Sequence, residues 1–400
     1  MPTYSNLTSS ALALLLLTAL LPACNKTTLK SGGSTPAKDS MQITSSLPLS
    51  VHGGDTVTVH GKNLPTDLSA YKVTLNGMPF KLITGSSDSV RVVVPKMAGS
   101  GNLMVTADAY TVKGPSVTYQ YVVTVTTIAG TGAVGTANGS ALSSSFYCPW
   151  GITADANGDL FIADCYNRLL RKYTAASGSI SQINIPNPVS FYSPYNIALD
   201  RITHNLYVTD FNAHMVKVHP DESFTLIYND TVTTTGIAVG PDGFLYLSNN
   251  IQGTVTRLDT NGNNRTRFGS NIITPRNLVF DKAGNLYVSA YGTYKITPKD
   301  VQTQLFFDAQ CKGWEIARDT LGNIYEADNF NNNLRMVEAS TGNIFTIAGS
   351  GNAEDDDGVG LDASFNGPQG LCIDDKGVLF MTTFNYATNG GNKVRKITIQ

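Results

Sequence analysis

The sequence predicts an all-β protein, an Ig-like β-sandwich followed by a six-bladed β-propeller that a strand from its own N-terminal side closes. Three observations carry this prediction. No long segment shows helical periodicity, whereas Gly (37), Tyr (18) and many Thr, Ser and Asn mark a turn-rich chain. Short apolar strands recur at Gly151-Ile152, Asn196-Ile197, Gly236-Ile237, Asn277-Leu278, Glu315-Ile316 and Gly370-Leu371, spaced by 45, 40, 41, 38 and 55 residues. That period belongs to propellers and solenoids. Finally, the second strand of every repeat carries an aromatic at its second position: Phe161, Tyr207, Tyr246, Tyr287, Tyr325 and Phe380.

Residues 1–23 read as a targeting segment. An apolar run from Ala11 to Leu21 ends in Leu21-Pro22-Ala23-Cys24. It is shorter than the roughly 20 residues that span a bilayer, and it has the length of a signal-peptide core. The ending resembles the lipobox of bacterial lipoproteins, in which small residues precede the cleaved bond and the Cys24 thiol carries the lipid. Met1 to Ser10 lacks the Lys or Arg of a usual n-region. The resemblance implies a lipid anchor in the outer membrane. No acidic cluster follows Cys24 to direct the chain to the cell surface, and the membrane face stays open. Residues 24–40 are polar, with Gly, Ser and Pro, and read as a flexible tether.

Residues 41–123 show short alternating strands such as Thr56-Val57-Thr58-Val59 and Val90-Arg91-Val92-Val93-Val94. The stretches Gly53-Gly54-Asp55-Thr56-Val57 through Lys62-Asn63-Leu64, Val73-Thr74-Leu75-Asn76-Gly77 and Gly99-Ser100-Gly101-Asn102-Leu103 resemble an IPT/TIG domain. That resemblance implies an Ig-like spacer or interaction module and names no ligand.

Residues 124–400 hold the repeats. Turns such as Asn157-Gly158 and Asp242-Gly243 supply the positive φ of tight hairpins. Motifs such as Phe161-Ile162-Ala163-Asp164 and Tyr207-Val208-Thr209-Asp210 resemble NHL repeats, in the manner of lipoproteins of Bacteroidetes type. Thr127-Ile128-Ala129-Gly130-Thr131-Gly132 recurs as Thr346-Ile347-Ala348-Gly349-Ser350-Gly351. The last repeat stops after its third strand, so Val125 to Gly130 should complete its sheet and close the ring.

Charged residues are only 14% and the net charge is −2. With no basic stripe, nucleic acid is a poor partner. One slot, just before the innermost strand, collects Trp150, Tyr195, Thr235, Arg276, Trp314 and Gln369, including both Trp of the chain. Aromatic faces beside polar donors suit a sugar or planar ligand. The same residues could instead plug the channel. The next slot adds Asn196, Asn277 and Glu315, an oxygen-rich set that could hold calcium, although calcium takes six or more ligands. Gluconolactonase/regucalcin-like propellers use such ligands, but their Glu-Gly-Pro motif is replaced here by Tyr147-Cys148-Pro149-Trp150. Amidating-lyase relatives converge histidines from several blades, whereas His204, His214 and His219 share one repeat.

The run Glu354-Asp355-Asp356-Asp357-Gly358 parallels Asn138-Gly139 of an earlier loop and reads as a solvated structural turn. Asp164, Asp210 and Asp328 end second strands, where turn capping is expected. Cys148 and Cys165 flank the first hairpin and stand nearly opposite, near enough to pair. Two functional classes remain. One is a monomeric, non-catalytic envelope lipoprotein that binds a glycan or protein. The other is a metal-dependent lactonase- or lyase-like enzyme acting at the channel.

The lipobox predicts a mature chain that starts at a lipidated Cys24, to be read by mass spectrometry. Cys24→Ser should release the protein from membranes, and equally firm attachment would contradict the anchor.

Overall fold

The computed structural model describes residues 41–107, 110–184, 193–210, 214–229, 234–306 and 315–400. The lipobox, the tether and Trp314 lie outside these residues. Among the described residues, no helix is long and apolar enough to cross a membrane.

The Ig-like part is two sheets, antiparallel except where Ser50–Val51 runs parallel to Tyr110–Tyr119, and their alternating residues meet in one core. In Thr56–Lys62 every second residue is buried. Val57, Val59, Val90 and Val92 of one sheet face Val73, Leu75, Leu103, Val105 and Val117 of the other. β-Branched side chains fit this pleated surface well.

The following residues form six sheets, each with four long antiparallel strands. Their innermost strands are Pro149–Ala154, Pro194–Leu199, Gly236–Val239, Leu278–Phe280, Glu315–Arg318 and Pro368–Ile373. Each touches the next, and the sixth touches the first, so the blades, numbered 1 to 6 in chain order, ring a central channel.

The first hairpin of a blade is shaped by an Asp-x-x-Gly turn. Asp155, Asp281, Asp319 and Asp374 each accept N–H bonds from the residues two and four positions on, at 2.9 Å. Gly158, Gly284, Gly322 and Gly377 take the positive φ that follows. The aromatic column serves the same turns. The Tyr287 and Tyr325 hydroxyls donate to Asp281 and Asp319 at 3.2 and 3.0 Å.

Blade 6 takes its fourth strand from the N-terminal side, as expected. Val123–Ala129 pairs antiparallel with Gly390–Ile399, setting Val125 against Ile397. Val122 and Gln400 exchange backbone hydrogen bonds at the end of the ladder.

Blades 1 and 6 share a long loop before the innermost strand, and a buried arginine holds each loop. Arg171 donates to Asp164, Ser145 O, Ala137 O and Asn138 Oδ1. Arg395 donates to Asp355 Oδ1, Ser364 O, Asp356 O and Asp357 Oδ1. Each guanidinium also lies over a buried ring, Phe146 or Phe365. Asn138 and Asp357 thus do one job in two loops. The acidic run is structural, but only in part solvated. Asp355 is buried against Arg395, and burial pushes its carboxyl up from the usual range.

The Ig-like domain rests on blade 5. Buried Glu338 accepts from Tyr121 Oη at 2.7 Å, Ser100 N at 3.0 Å and Thr341 Oγ1 at 2.7 Å.

Starting the chain at Ser140 removes the closing strand. Such a chain should expose a sheet edge and aggregate, and a monomeric, equally stable product in light scattering and thermal melts would refute the closure. Arg171→Ala leaves Asp164 buried without its cation and should cost about 3–5 kcal/mol in denaturant titrations.

Candidate functional site

The start of each innermost strand and the loop after each second strand share one end of the channel, called the opening face below. In blade 1 the two are joined directly, since Tyr166 N donates to Tyr147 O and Cys165 N to Cys148 O. Asp164 holds this corner by accepting from Tyr147 N and Asn167 Nδ2 at 2.8 Å. Asp210 accepts from His214 N, and Asp328 from Asn331 N, so all three carboxylates cap turns as expected.

Of the residues placed in the ligand slot, Trp150, Tyr195 and Gln369 are buried, with Trp150 only 3% exposed. The Trp150 and Tyr195 rings pack tilted by 42° with centroids 4.4 Å apart, and Gln369 Nε2 donates to Phe384 O. The expected indole at an open mouth is thus corrected for Trp150, which packs beneath the face. Its β-strand position places the ring between neighbouring blades. Arg276 is half-buried, with Tyr195, Tyr291, Glu315 and Tyr386 in its electrostatic surroundings.

The surface above Trp150 is made by residues the sequence reading did not single out. Tyr386 packs 5.8 Å from Trp150, Tyr166 lies 6.5 Å from Tyr386, and Tyr147 lies 5.0 Å from Tyr166. Tyr166 and Tyr386 are 44% and 46% exposed. Phe330 and Ile251 are exposed in the corresponding loops of blades 5 and 3. The available signal was an apolar residue shortly after each second strand. Its spacing slips by one between repeats and hides it.

Beneath the aromatics, Asn196, Asn277 and Glu315 converge. Asn196 Nδ2 donates to Glu315 Oε1 at 2.8 Å, and Asn277 Nδ2 donates to Oε2. The amide oxygens accept from Ile197 N and Ile316 N. Every oxygen therefore has a proton donor, and this donor set does not fit calcium, which needs free oxygens converging on one point. Among the described residues, no three His, Cys, Asp or Glu side chains cluster as metal ligands. Burial pushes the Glu315 carboxyl well above its usual range, against the pull of Asn196 and Arg276.

Cys148 and Cys165 are buried thiols in contact across the first two strands of blade 1. Burial, followed by the hydrogen bond to Cys165, pushes the Cys148 thiol up. Cys148 has φ +58° where blade 6 has Gly367 at φ +71°.

Comparison with known proteins agrees with this architecture. Residues 41–121 match the IPT/TIG domain, and residues 146–173 match the NHL repeat. The bovine NHL repeat-containing protein 2 is 40% identical over 67 residues, which is 16% of this chain and 9% of that relative. The match thus spans a small fraction of the relative's length. A Bacteroides thetaiotaomicron protein of unknown function superposes with a TM-score of 0.62 at 19% identity, covering 92% of this chain and 100% of its own. An auxiliary nutrient binding protein of Bacteroides ovatus gives 0.55 at 18% identity, covering 91% and 99%. These likenesses are of fold. The two family matches thus fall one in the sandwich and one in blade 1 of the propeller.

Glu315 sets a pH dependence. Its folded pKa lies above the unfolded value, so the folded chain keeps a proton that the unfolded chain has lost. The associated stability is present below the usual carboxylate range and is lost as pH rises through the folded pKa. Glu315→Gln should flatten this fall, because the amide does not titrate. Melting curves from pH 4 to 8 test it, and parallel curves for both proteins would refute it.

Proposed function

We propose that the protein is a non-catalytic envelope lipoprotein, anchored by Cys24 in the outer membrane, that binds a glycan or protein ligand on the opening face of the propeller. The observation that carries this reading is the exposed pair Tyr166 and Tyr386 over buried Trp150 and Tyr195, with Arg276 at the edge. Rigid rings on a packed floor offer a stacking surface that loses little entropy on binding, and a guanidinium beside them adds charge-assisted donors. Trp150, Tyr195 and Gln369 support the surface, Arg276 reaches the ligand, and Trp314 belongs to the same slot. The Bacteroides ovatus structure of similar fold, titled an auxiliary nutrient binding protein, is in keeping with a binding role.

Binding is favoured over lactonase or lyase chemistry because the buried channel acid, Glu315, has both oxygens engaged by amides. It is buried and bound within the septum, not displayed to a substrate. In an exported protein, the adjacent Cys148 and Cys165 are proposed to close as a disulfide beneath the same face.

A glycan array probed with the Cys24→Ser chain tests the reading. Tyr166→Ala and Tyr386→Ala should each weaken a captured ligand by about 1–3 kcal/mol without lowering the melting temperature. Trp150→Ala should instead cost about 3–5 kcal/mol of stability, as for a large ring removed from a core. Ligand affinity that ignores both tyrosine changes would refute the site.

A further inference from the structure

The far end of the channel, where first and second strands join in hairpins, carries a separate cavity. It measures about 400 Å³, within the roughly 300–1,000 Å³ of small-molecule pockets. Ile152, Ile197, Ile237, Leu278, Ile316 and Leu371 line it, one from each blade. Its inner end is Asn196 and Asn277, whose amides are already bound to Glu315. An apolar group resting there deprives them of no hydrogen bond.

Two arginines stand at the mouth. Arg201, on the hairpin of blade 2, pairs with Asp375 on the hairpin of blade 6, bridging past blade 1. Both side chains are about half exposed, at 47% and 60%. Such a pair contributes roughly 0–1 kcal/mol and is readily exchanged for another anion. Arg318 lies 4.9 Å from the Tyr287 ring centroid, and its buried Nε has no hydrogen-bond partner.

The carboxylates beside them are committed to their own turns. Asp200 accepts from Ile202 N and Thr203 N, and Asp281 from Ala283 N and Asn285 N. A second cavity of about 740 Å³ shares Arg201, Arg318, Phe280 and Ile373 with the first and extends to Met97 of the Ig-like domain.

We propose that this end of the channel binds a slender amphipathic anion, a carboxylate on an unbranched alkyl chain. The tail lies along the six-residue apolar ring. The head group sits between Arg201 and Arg318, replacing Asp375 on the first and meeting the guanidinium of the second where it lines the cavity. The apolar ring alone would take any alkyl chain. The arginines select the charge.

The test titrates the Cys24→Ser full-length chain with trans-parinaric acid, an unbranched polyene carboxylate whose emission rises in apolar surroundings. Saturable binding at one probe per chain is expected, displaced by decanoate and not by decyltrimethylammonium. Arg201→Gln should raise the Kd about ten-fold at low salt, the loss of one charge-assisted contact. Arg201 is exposed enough to be replaced without unfolding, so it decides the case even if Arg318→Gln fails to fold. Tyr386→Ala, on the opposite face, should leave probe affinity unchanged, which separates this site from the glycan or protein site. Absence of saturable binding, equal displacement by the cation, or an unchanged Kd in Arg201→Gln would overturn the proposal.

Discussion

The propeller depends on one antiparallel pairing, that of Val123–Ala129 with Gly390–Ile399. Six blades packed side by side still leave a seam between the last and the first. Without this strand, blade 6 would present an unpaired edge and blade 1 would lose a neighbour. Closure brings together residues nearly the whole propeller apart, yet the entropic cost of joining chain ends grows only logarithmically with their separation. The pairing also sets the domain arrangement. Tyr119 belongs to the Ig-like core, Tyr121 bonds Glu338 of blade 5, and Val123 is already in blade 6. With three residues between the two cores, the sandwich has little freedom to swing. Glu338 then fixes it by accepting from both Tyr121 and the Ser100 backbone.

The two ends of the ring are built on different logic. At the hairpin end, near-identical Asp-x-x-Gly turns repeat, and each carboxylate is consumed by its own turn. Charge left for a ligand there must come from residues outside the repeat, such as Arg201. At the opening end the loops differ from blade to blade, and two of them need buried arginines to hold their shape. A buried guanidinium costs several kcal/mol to desolvate unless nearly all its donors are used. Arg171 and Arg395 meet that demand almost fully, leaving only Nε unpartnered in each. Variable loops on a rigid ring are where binding surfaces arise, and the exposed tyrosines fall in these loops.

Sequence made the fold legible because its signals repeat. The aromatic column stands out since all six members recur at one register of the second strand, and closure stands out since the orphan strand copies the blade 5 strand at Thr346-Ile347-Ala348. The site was harder. Trp150 and Trp314 are equivalent in the repeat, but whether such a ring faces solvent depends on the neighbouring blades and on loops such as Asn385-Tyr386. Tyr386 roofs Trp150 from the far end of the chain, a contact no local pattern encodes. Asn196, Asn277 and Glu315 were correctly grouped by position. The direction of their hydrogen bonds could not be read from residue type, because amide and carboxylate oxygens suit both cation binding and mutual pairing. Burial of Asp355 was hidden for a similar reason, since an acidic run looks solvated until its arginine, forty residues on, is placed beside it.

That three-residue network explains why the channel is closed across its axis and is not a pore. Asn196 comes from blade 2, Asn277 from blade 4 and Glu315 from blade 5, so their bonds cross the axis from nearly opposite sides. Trp150 and Tyr195 pack on the opening side, and the apolar ring begins on the other. Opening a path would strand two amides and a carboxyl in low dielectric, where each unpaired group costs about 1–3 kcal/mol. The septum therefore stays closed between two faces that differ in the chemistry of their side chains. A stacking surface of tyrosines with one guanidinium favours planar, hydroxyl-rich groups, whereas an apolar shaft with arginines at its rim favours a charged head on a greasy tail. Asn196 and Glu315 each bond residues of two other blades, Asn196 donating to Thr235 O as well as to Glu315, so the network ties blades 2, 3, 4 and 5 together across the axis.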